Sequence, residues 1–393
     1  MPKSNSEARS AGPLDGVRVL DLTAVVMGPW ATQNLGDMGA DVIKIEPVDG
    51  DVLRFMKPNR HDSMSPSYLN INRNKRSIAL DLKTPRGKRI LRELARLSDV
   101  FVSNVRPQAM RRLGLDYESL RGQNPRLIYC GCYGYSENGP YAGRAAVDDV
   151  IQAASGLAWL QGYCGDDPRY VNAIIVDKIV GLYVVQAVAM ALYAREKSGR
   201  GQFIEVPMFE AMTAFVVPEH LSGLTFEPPL GVAGYQRLLN PFRKPFRTKD
   251  GHIAVVPYND VQWARFFEIA GKPEMIRDPK YATLLARSSR FHELYEFIEK
   301  ALAARSTAEC AEAFERAELP FAIVNSFEGL LKDPHLAATG FWKTVEHPTE
   351  GKLRMPGIAT KFSETPGTIR RPAPNLGEHT EEVLKELGID PHE

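Results

Sequence analysis

Apolar and polar positions alternate between two patterns along the first third of the chain. Short, nearly continuous apolar runs are followed by segments in which apolar residues recur at helical spacing. The first pattern is typical of strands buried on both faces, and the second of amphipathic helices. Their alternation predicts βαβ units and a parallel sheet. The predicted strands are Val17–Thr23, Asp41–Glu46, Ser77–Leu82, Asp99–Asn104 and Arg126–Tyr135, and the predicted helices between them include Gly28–Met38 and Thr84–Leu97.

A longer helix is predicted at Asp177–Lys197, and a further strand at Gln202–Met208. The helix ends before Gly199, where a glycine suits a left-handed cap. Its most apolar part, Ile179–Ala194, is shorter than the roughly 20 residues that a membrane-spanning helix needs. A buried helix of a globular domain is therefore the better interpretation.

The pattern changes after Glu219, where prolines and glycines indicate a linker. A second unit begins near Pro245, with a turn at Lys249–Gly251 between two strand-like runs. The segment Pro348–Pro374 is rich in proline, glycine and threonine and predicts loops. The predicted helices after the linker are Asp260–Ile269, Phe291–Arg305, Thr307–Ala317 and Thr380–Leu387.

Composition and charge exclude several classes of protein. The 393 residues include 49 Lys+Arg and 48 Asp+Glu, a balance that supports neither nucleic-acid binding nor membrane binding. The segment Met1–Gly12 has no apolar core and does not resemble a secretory signal. Four cysteines in a chain of this length are no disulfide framework, so we expect a reduced, cytoplasmic protein. We expect Cys130 and Cys132 to point to opposite faces of their strand.

Common cofactor motifs are missing from the sequence. No G-x-G-x-x-G follows the first strand, and there is no Walker A motif, H-E-x-x-H or G-x-S-x-G. The eight histidines are scattered, without the spacing of a metal pair on one helical turn. We therefore expect neither a metal nor a redox cofactor.

Asp177 stands out because it lies in the otherwise apolar segment Asn172–Gly181, at the start of the predicted long helix. The helix dipole and the free N–H groups at that end favour a carboxylate anion, which suits a functional role. An aspartate that caps a helix is common, however, and the spacing alone favours the cap. Both interpretations stay open at this point.

Two basic clusters lie near the ends of predicted strands. Arginine and lysine at such loops bind phosphates in many α/β proteins, but most charged side chains are simply solvated. Taken alone, each cluster is better interpreted as solvated surface. The clusters are Arg73, Lys75 and Arg76, and Arg106, Arg111 and Arg112.

Seven segments stand in one order along the chain: Pro13–Thr23, Gly39–Asp51, Asn72–Gly87, Asn124–Tyr141, Asp148–Gly156, Ser198–Ala211 and Pro374–Gly388. Together they resemble one family, the class III CoA-transferases. The resemblance implies a Rossmann-like large domain, formed by residues 1–220 and 331–393, with an inserted small α+β domain at 225–330. It also implies an interlocked homodimer.

The resemblance also implies a reaction and its residues. CoA would move from an acyl-CoA donor to a carboxylic acid through an aspartyl-CoA thioester, without a cofactor. Asp177 matches the catalytic aspartate of the family. The position of Val26 carries a glutamine in formyl-CoA transferase, so its absence argues against oxalate and formate as the pair. The residues that match CoA contacts are Val25, Val26, Lys75, Asn104 and Arg112.

Two other functions remain open on the sequence. The chain also resembles α-methylacyl-CoA racemase, but Val147 stands where that enzyme would have its catalytic histidine, so a second base is missing. The protein could instead bind acyl-CoA without chemistry. Succinyl-CoA is the expected donor if the basic turn with Arg243, Lys244 and Arg247 holds the far carboxylate of a dicarboxylic acid. The same turn is equally interpreted as solvated surface.

Overall fold

The computed structural model describes residues 12–163 and 167–390, and these form two compact units. The first unit contains the described residues up to Leu157, the segment Tyr170–Phe215 and the described residues from His335 onward. The second unit contains Val216–Pro334 and the described part of Ala158–Arg169. The predicted small domain, 225–330, falls inside the longer segment of the second unit, and its boundaries stay a prediction.

The first unit contains a six-stranded sheet with strand order β3-β2-β1-β4-β5-β6. Every neighbouring pair is parallel. This order reverses direction between β1 and β4, as in dinucleotide-binding α/β folds. The prediction of an α/β fold with a parallel sheet is confirmed. The strands are β1 (Arg18–Leu22), β2 (Asp41–Glu46), β3 (Lys75–Ala79), β4 (Val100–Ser103), β5 (Ile128–Tyr133) and β6 (Phe203–Pro207).

Helices connect and cover these strands, and several begin at side-chain caps such as Ser65, Thr84 and Asp116. A short 3-10 helix, Val52–Phe55, follows β2. Up to residue 216 the helices are α1 (Met27–Asp37), α2 (Pro66–Ile71), α3 (Pro85–Arg96), α4 (Pro107–Leu113), α5 (Tyr117–Arg121), α6 (Asp148–Ala154), α7 (Leu157–Gly162), α8 (Ile175–Ser198) and α9 (Met208–Val216).

The central strands are buried almost completely, which explains their continuous apolar sequence. Leu20, Ile43, Ile78 and Phe101 have no exposed surface and lie in one core cluster. Helix α3 contributes Leu91 to the same cluster through its apolar face. Burial on both faces therefore fixes the sheet as the centre of the first unit.

The second unit is an α+β arrangement. Its three strands are antiparallel in the order β7-β8-β9, and its core contains Trp263, Phe266 and Phe314. Its strands are β7 (Phe246–Arg247), β8 (His252–Val255) and β9 (Phe321–Ile323), its 3-10 helices are Ser222–Thr225 and Pro273–Arg277, and its α-helices are α10 (Asp260–Ile269), α11 (Leu284–Ser288), α12 (Phe291–Leu302), α13 (Thr307–Arg316) and α14 (Phe327–Leu330).

The last part of the chain differs from the prediction of loops. It forms a hairpin in which Trp342 pairs with Pro356 and His347 pairs with Gly351. Gly351 has φ of 64°, a conformation that suits glycine at the turn. The elements are α15 (Pro334–Ala338), β10 (Trp342–His347), β11 (Gly351–Pro356) and α16 (Thr380–Glu386).

Two further details correct the sequence predictions. Strand β3 begins at Lys75, two residues before the predicted start at Ser77, so the basic cluster enters the strand. Cys130 and Cys132 lie on the same face of β5, because residues two apart in a strand share a face, and their thiols contact each other. The prediction of opposite faces was wrong.

Helix α8 is the longest described helix, with 24 residues. By length and composition alone it is apolar enough to cross a membrane. One face of α8 is buried, with Val180, Val184 and Val188 fully inaccessible. A Cβ atom at Gly181 would lie only 2.9 Å from the carbonyl oxygen of Met27, so α8 packs closely on α1. These contacts place one face of α8 in the core of the first unit.

Candidate active site

Strands β1 and β4 end side by side at the point where the strand order reverses. The chain after β1 passes through Thr23, Ala24 and Val25 before α1, and Asn104 follows β4. The Asn104 amide donates to the Ala24 carbonyl at 2.9 Å and accepts from the Ala24 N–H at 3.1 Å. Such a crevice at the carboxyl ends of the strands is the usual ligand site of an open α/β sheet.

A cavity of about 230 Å³ opens at this position, and its described walls belong to the first unit. Residues 24–27 form one wall, and the end of β5 with the loop that follows it forms another. The N-terminal end of α8 supplies Asp177. The cavity is therefore built from three strand ends and one helix start.

Asp177 is the third residue of α8, and only 8% of it is exposed. The residue at the N-cap position is Ile174, which makes no side-chain capping bond. Instead, Asp148 at the start of α6 accepts the Asp177 backbone N–H at 3.1 Å. The interpretation of Asp177 as a helix cap is therefore wrong. Among the described residues, no hydrogen bond or ion pair reaches its carboxylate.

The electrostatic surroundings disfavour a charge on Asp177. Burial, and to a smaller extent the nearby Asp148 carboxylate, raise the pKa of its carboxyl to about 7. The sequence argument had expected the helix dipole to favour the anion, but desolvation is the larger effect. A carboxylate with a pKa near neutrality is partly ionised in the cell, and it is more basic than an exposed aspartate. Such a group is suited to attack an electrophilic carbonyl.

The predicted CoA contacts divide into three groups in the structure. Val25, Val26 and Asn104 line the cavity with Asp177. Arg112 lies in the last turn of α4, the helix that follows β4, and its side chain is exposed. Lys75 lies at the opposite end of its strand, the amino end of β3.

Lys75 is completely buried, and its ammonium group has three partners. It donates to Asp21 at 2.9 Å, to the Pro29 carbonyl at 2.9 Å and to Asn72 at 2.8 Å. An ammonium has only three donors, so none is left for a phosphate. This arrangement does not favour Lys75 as a CoA contact. Lys83, which is exposed beyond the carboxyl end of β3, is the better-placed lysine.

Sequence reasoning missed Arg144 and Asp148 of this site, and it named Arg106 only as part of a basic cluster. Arg106 and Arg144 line the cavity, and the Arg144 guanidinium lies 4.1 Å from the centre of the Tyr141 ring. Asp148, which binds the N-terminus of α8, was also missed. Position after the carboxyl end of a strand was the available signal for Arg106. Arg144 and Asp148 belong to a loop and a short helix whose folding back the sequence did not indicate.

Within the described ranges, no group of three or more histidine, cysteine, aspartate or glutamate side chains is arranged to hold a metal ion. Val147, at the position where a racemase would have its histidine, lines the cavity and is 62% exposed. The ionisable side chains that do line the cavity include Asp177, Glu137 and the two arginines. Glu137 accepts the Gly143 N–H at 3.2 Å.

Comparisons with known proteins identify the family of the chain. The sequence profile of CoA-transferase family III matches residues 14–380 of the chain. The chain is 36% identical over 389 residues to succinyl-CoA:glutarate CoA-transferase of Homo sapiens, covering 98% of this chain and 88% of that protein. It is 33% identical over 404 residues to formyl-CoA:oxalate CoA-transferase of Streptomyces coelicolor, covering 98% of this chain and 97% of the relative. The crystal structure of a CaiB/BaiF family protein from Brucella suis superposes with a TM-score of 0.82 and 29% identity, covering 96% of this chain and 100% of that chain.

The chain belongs to CoA-transferase family III. It is an enzyme of acyl-CoA metabolism that transfers CoA between an acyl-CoA and a carboxylic acid. The prediction of a CoA-transferase is thereby confirmed over the racemase and over binding without chemistry.

Proposed function

We propose that this enzyme transfers CoA through a covalent aspartyl-CoA thioester on Asp177. The observation that carries the proposal is the buried carboxylate of Asp177 in the cavity, which has no partner in the part of the chain that the structure describes and has a pKa raised to about 7. A carboxylate that only stabilised the fold would be hydrogen-bonded or paired, because an unpaired buried charge is costly. A nucleophile must keep its oxygen atoms free.

Each half of the reaction has two steps, and each step forms one bond and breaks one. An Asp177 oxygen attacks the thioester carbonyl of the donor, and the C–S bond breaks. CoA departs as its thiolate, and a mixed anhydride of Asp177 and the donor acid remains. The thiolate then attacks the aspartyl carbonyl carbon, and the donor acid leaves as its carboxylate. The acceptor carboxylate reverses these steps. Covalent catalysis divides a difficult exchange into easier ones and keeps the free energy of the thioester. No metal or redox cofactor takes part.

CoA binds at the carboxyl edge of the sheet in this proposal. Val25 and Val26 contact its thiol arm beside Asp177, and Asn104 borders the same space. Arg112 and Lys83 supply cations for the phosphates, since both are exposed and lie in the segments that follow β4 and β3. The partners are an acyl-CoA and a small carboxylic acid, without nucleic acid or membrane.

A dicarboxylic acid is the substrate class that we propose, with succinyl-CoA as donor. Relatives are named for succinyl-CoA with glutarate and for succinyl-CoA with L-malate. Two cations that line the Asp177 cavity, Arg106 and Arg144, can hold a second carboxylate. In the second unit, Arg243 and Lys244 line a separate cavity of about 250 Å³, where Lys244 is paired with Glu299 at 3.1 Å. Val26 in place of glutamine remains an argument against formate and oxalate.

Intact-mass measurement tests the covalent intermediate. The protein is incubated with succinyl-CoA, and the adduct is located by peptide mapping after borohydride or hydroxylamine treatment. We expect an adduct of CoA mass on the intact protein, conversion of the Asp177 side chain to a hydroxamate or an alcohol in the treated peptide, and neither change in Asp177→Asn. Asp37→Asn is the control, because Asp37 is also buried but is paired with Arg73 away from the cavity. An adduct on another residue, or CoA exchange that persists in Asp177→Asn, refutes the mechanism.

We further propose a cytoplasmic, interlocked homodimer in which the Rossmann-like large domain carries the inserted small domain. The support on this chain is an exposed apolar face on α8, where Leu182, Met190 and Tyr193 are 52%, 61% and 65% exposed. Apolar side chains at this density on one helix usually meet a partner. Light scattering coupled to gel filtration gives the mass. A monomer at micromolar concentration contradicts the proposal.

A further inference from the structure

The segment between β1 and α1 is held by side chains from outside it. Lys44 donates to the Thr23 carbonyl at 2.8 Å. Asn104 binds both backbone groups of Ala24. The Val25 N–H donates to Asp51 at 3.2 Å. Consecutive residues of one wall of the active-site cavity are thus fixed by groups that come from β2, from the loop after β2 and from the end of β4.

Asp51 is the centre of this arrangement. One of its carboxylate oxygens accepts from Val25 and also from the Leu53 N–H at 3.0 Å. The other oxygen accepts from Lys44 at 3.1 Å, and both side chains of this ion pair are buried. Leu53 in turn packs in one core cluster with Val26. Asp51 is therefore connected to the cavity wall in two ways, directly through Val25 and indirectly through Leu53. It does not itself belong to the described lining residues.

Val25 has an uncommon backbone conformation, with φ of 70°. This region is unfavourable for a β-branched residue, so surrounding contacts must hold it in place. Its side chain is 43% exposed beside the cavity and gains little from burial. The hydrogen bond from its N–H to Asp51 is charge-assisted and buried on the acceptor side, which makes it an effective restraint.

We propose that Asp51, paired with Lys44, is a positioning residue that keeps the Ala24–Val26 wall in the conformation that binds the acyl-CoA next to Asp177. This inference rests on the proposed function for the location of the reaction. Asp51 itself touches no substrate. It acts by fixing where Val25 and Val26 stand, and a displacement of a substrate-positioning segment by about 1 Å costs about a hundredfold in rate.

The experiment compares Asp51→Asn with Asp37→Asn in the full-length protein. Both variants remove the charge of a buried carboxylate that is paired with a buried cation in the first unit. Only Asp51 contacts the cavity wall. We measure kcat and KM for succinyl-CoA with glutarate as acceptor, the dissociation constant of CoA, and the thermal midpoint. We expect similar losses in thermal midpoint, and a loss in kcat/KM of about tenfold to a hundredfold for Asp51→Asn alone. An equal kinetic loss in the two variants overturns the proposal.

Rescue separates positioning from general damage. Glycine adopts positive φ without strain. When Val25→Gly is added to Asp51→Asn, the conformation at position 25 should therefore depend less on the hydrogen bond to Asp51. We expect it to recover several-fold of the lost kcat/KM without recovering the thermal midpoint. A further decrease in kcat/KM contradicts the inference.

A second variant covers the case in which Asp51→Asn fails to fold. Lys44→Met combined with Asp51→Asn leaves no unpaired buried charge, which favours folding. It still loses the Lys44 bond to Thr23, so the same kinetic loss is expected, and wild-type kinetics overturn the proposal. If the wild type transfers no CoA from succinyl-CoA, the proposed substrates fail. The dissociation constant of CoA then decides the positioning role by the same comparison.

Discussion

The elevated pKa of Asp177 predicts that this residue destabilises the folded protein at neutral and alkaline pH. The folded carboxyl keeps its proton up to about pH 7, whereas an unfolded aspartate ionises near 3.8. Between these values the folded state binds more protons than the unfolded state, so stability falls as pH rises. The stability that a protonated Asp177 provides relative to an ionised one is fully present below pH 3.8 and is lost by about pH 7.

The magnitude follows from the shift. Each pKa unit corresponds to about 1.4 kcal/mol, so the displacement from 3.8 to about 7 corresponds to about 4 kcal/mol. Asn has nearly the same shape but does not titrate. We therefore expect the free energy of unfolding of Asp177→Asn to match that of the wild type near pH 4. At pH 8 we expect it to exceed the wild-type value by about 2–4 kcal/mol.

Urea denaturation of both proteins at several pH values measures this difference directly. Ionisable groups other than the coupled Asp148 titrate alike in the two proteins, so the difference reports Asp177 together with its coupling to Asp148. The same variant should lose CoA exchange, which would be a trade of stability for function at one residue. A variant that is less stable than the wild type at every pH would show that Asp177 forms a structural bond, and it would refute the argument.

Three further predictions concern neighbouring features. Asp148→Asn removes the carboxylate that raises the pKa of Asp177, so the pH at which exchange activity rises should move to a lower value in a pH–rate profile. Gly181→Ala places a methyl group 2.9 Å from the Met27 carbonyl and from the Trp30 ring, and should cost about 1–3 kcal/mol in denaturant unfolding. Arg112→Ala should raise KM for the acyl-CoA with little change in kcat, an effect that weakens at high salt.

Matched variants control these measurements. Gly122→Ala is the control for Gly181, because no atom lies within 4 Å of its added Cβ, and its stability should change by less than about 0.5 kcal/mol. Arg111→Ala is the control for Arg112, since Arg111 lines a different cavity. Equal effects in a variant and its control contradict the corresponding assignment. An unchanged pH–rate profile in Asp148→Asn contradicts the coupling between the two carboxylates.

Apolar periodicity was sufficient to predict most of the parallel sheet. Strand β2 matches its predicted bounds, and so does α10, because both carry strong local patterns. The hairpin of β10 and β11 was missed because most of its side chains are at least partly exposed, so little apolar alternation marks it. The start of β3 was missed because a buried lysine and arginine occupy it. Their burial depends on partners such as Asp21 that lie far away in sequence.

The sequence by itself was sufficient for the fold class and the family, and it singled out Asp177 as the candidate nucleophile. These depend on local patterns and on segments whose order is preserved along one chain. Only the tertiary structure decided that Asp177 is unpaired while Asp148 caps its helix, that Lys75 is buried while Lys83 is exposed at the carboxyl edge, and that Asp51 holds Val25. The physical reason is that pKa, ion pairing and hydrogen bonding depend on distances between residues that are remote in the chain. A linear pattern carries no information on those distances until the strands have been placed side by side.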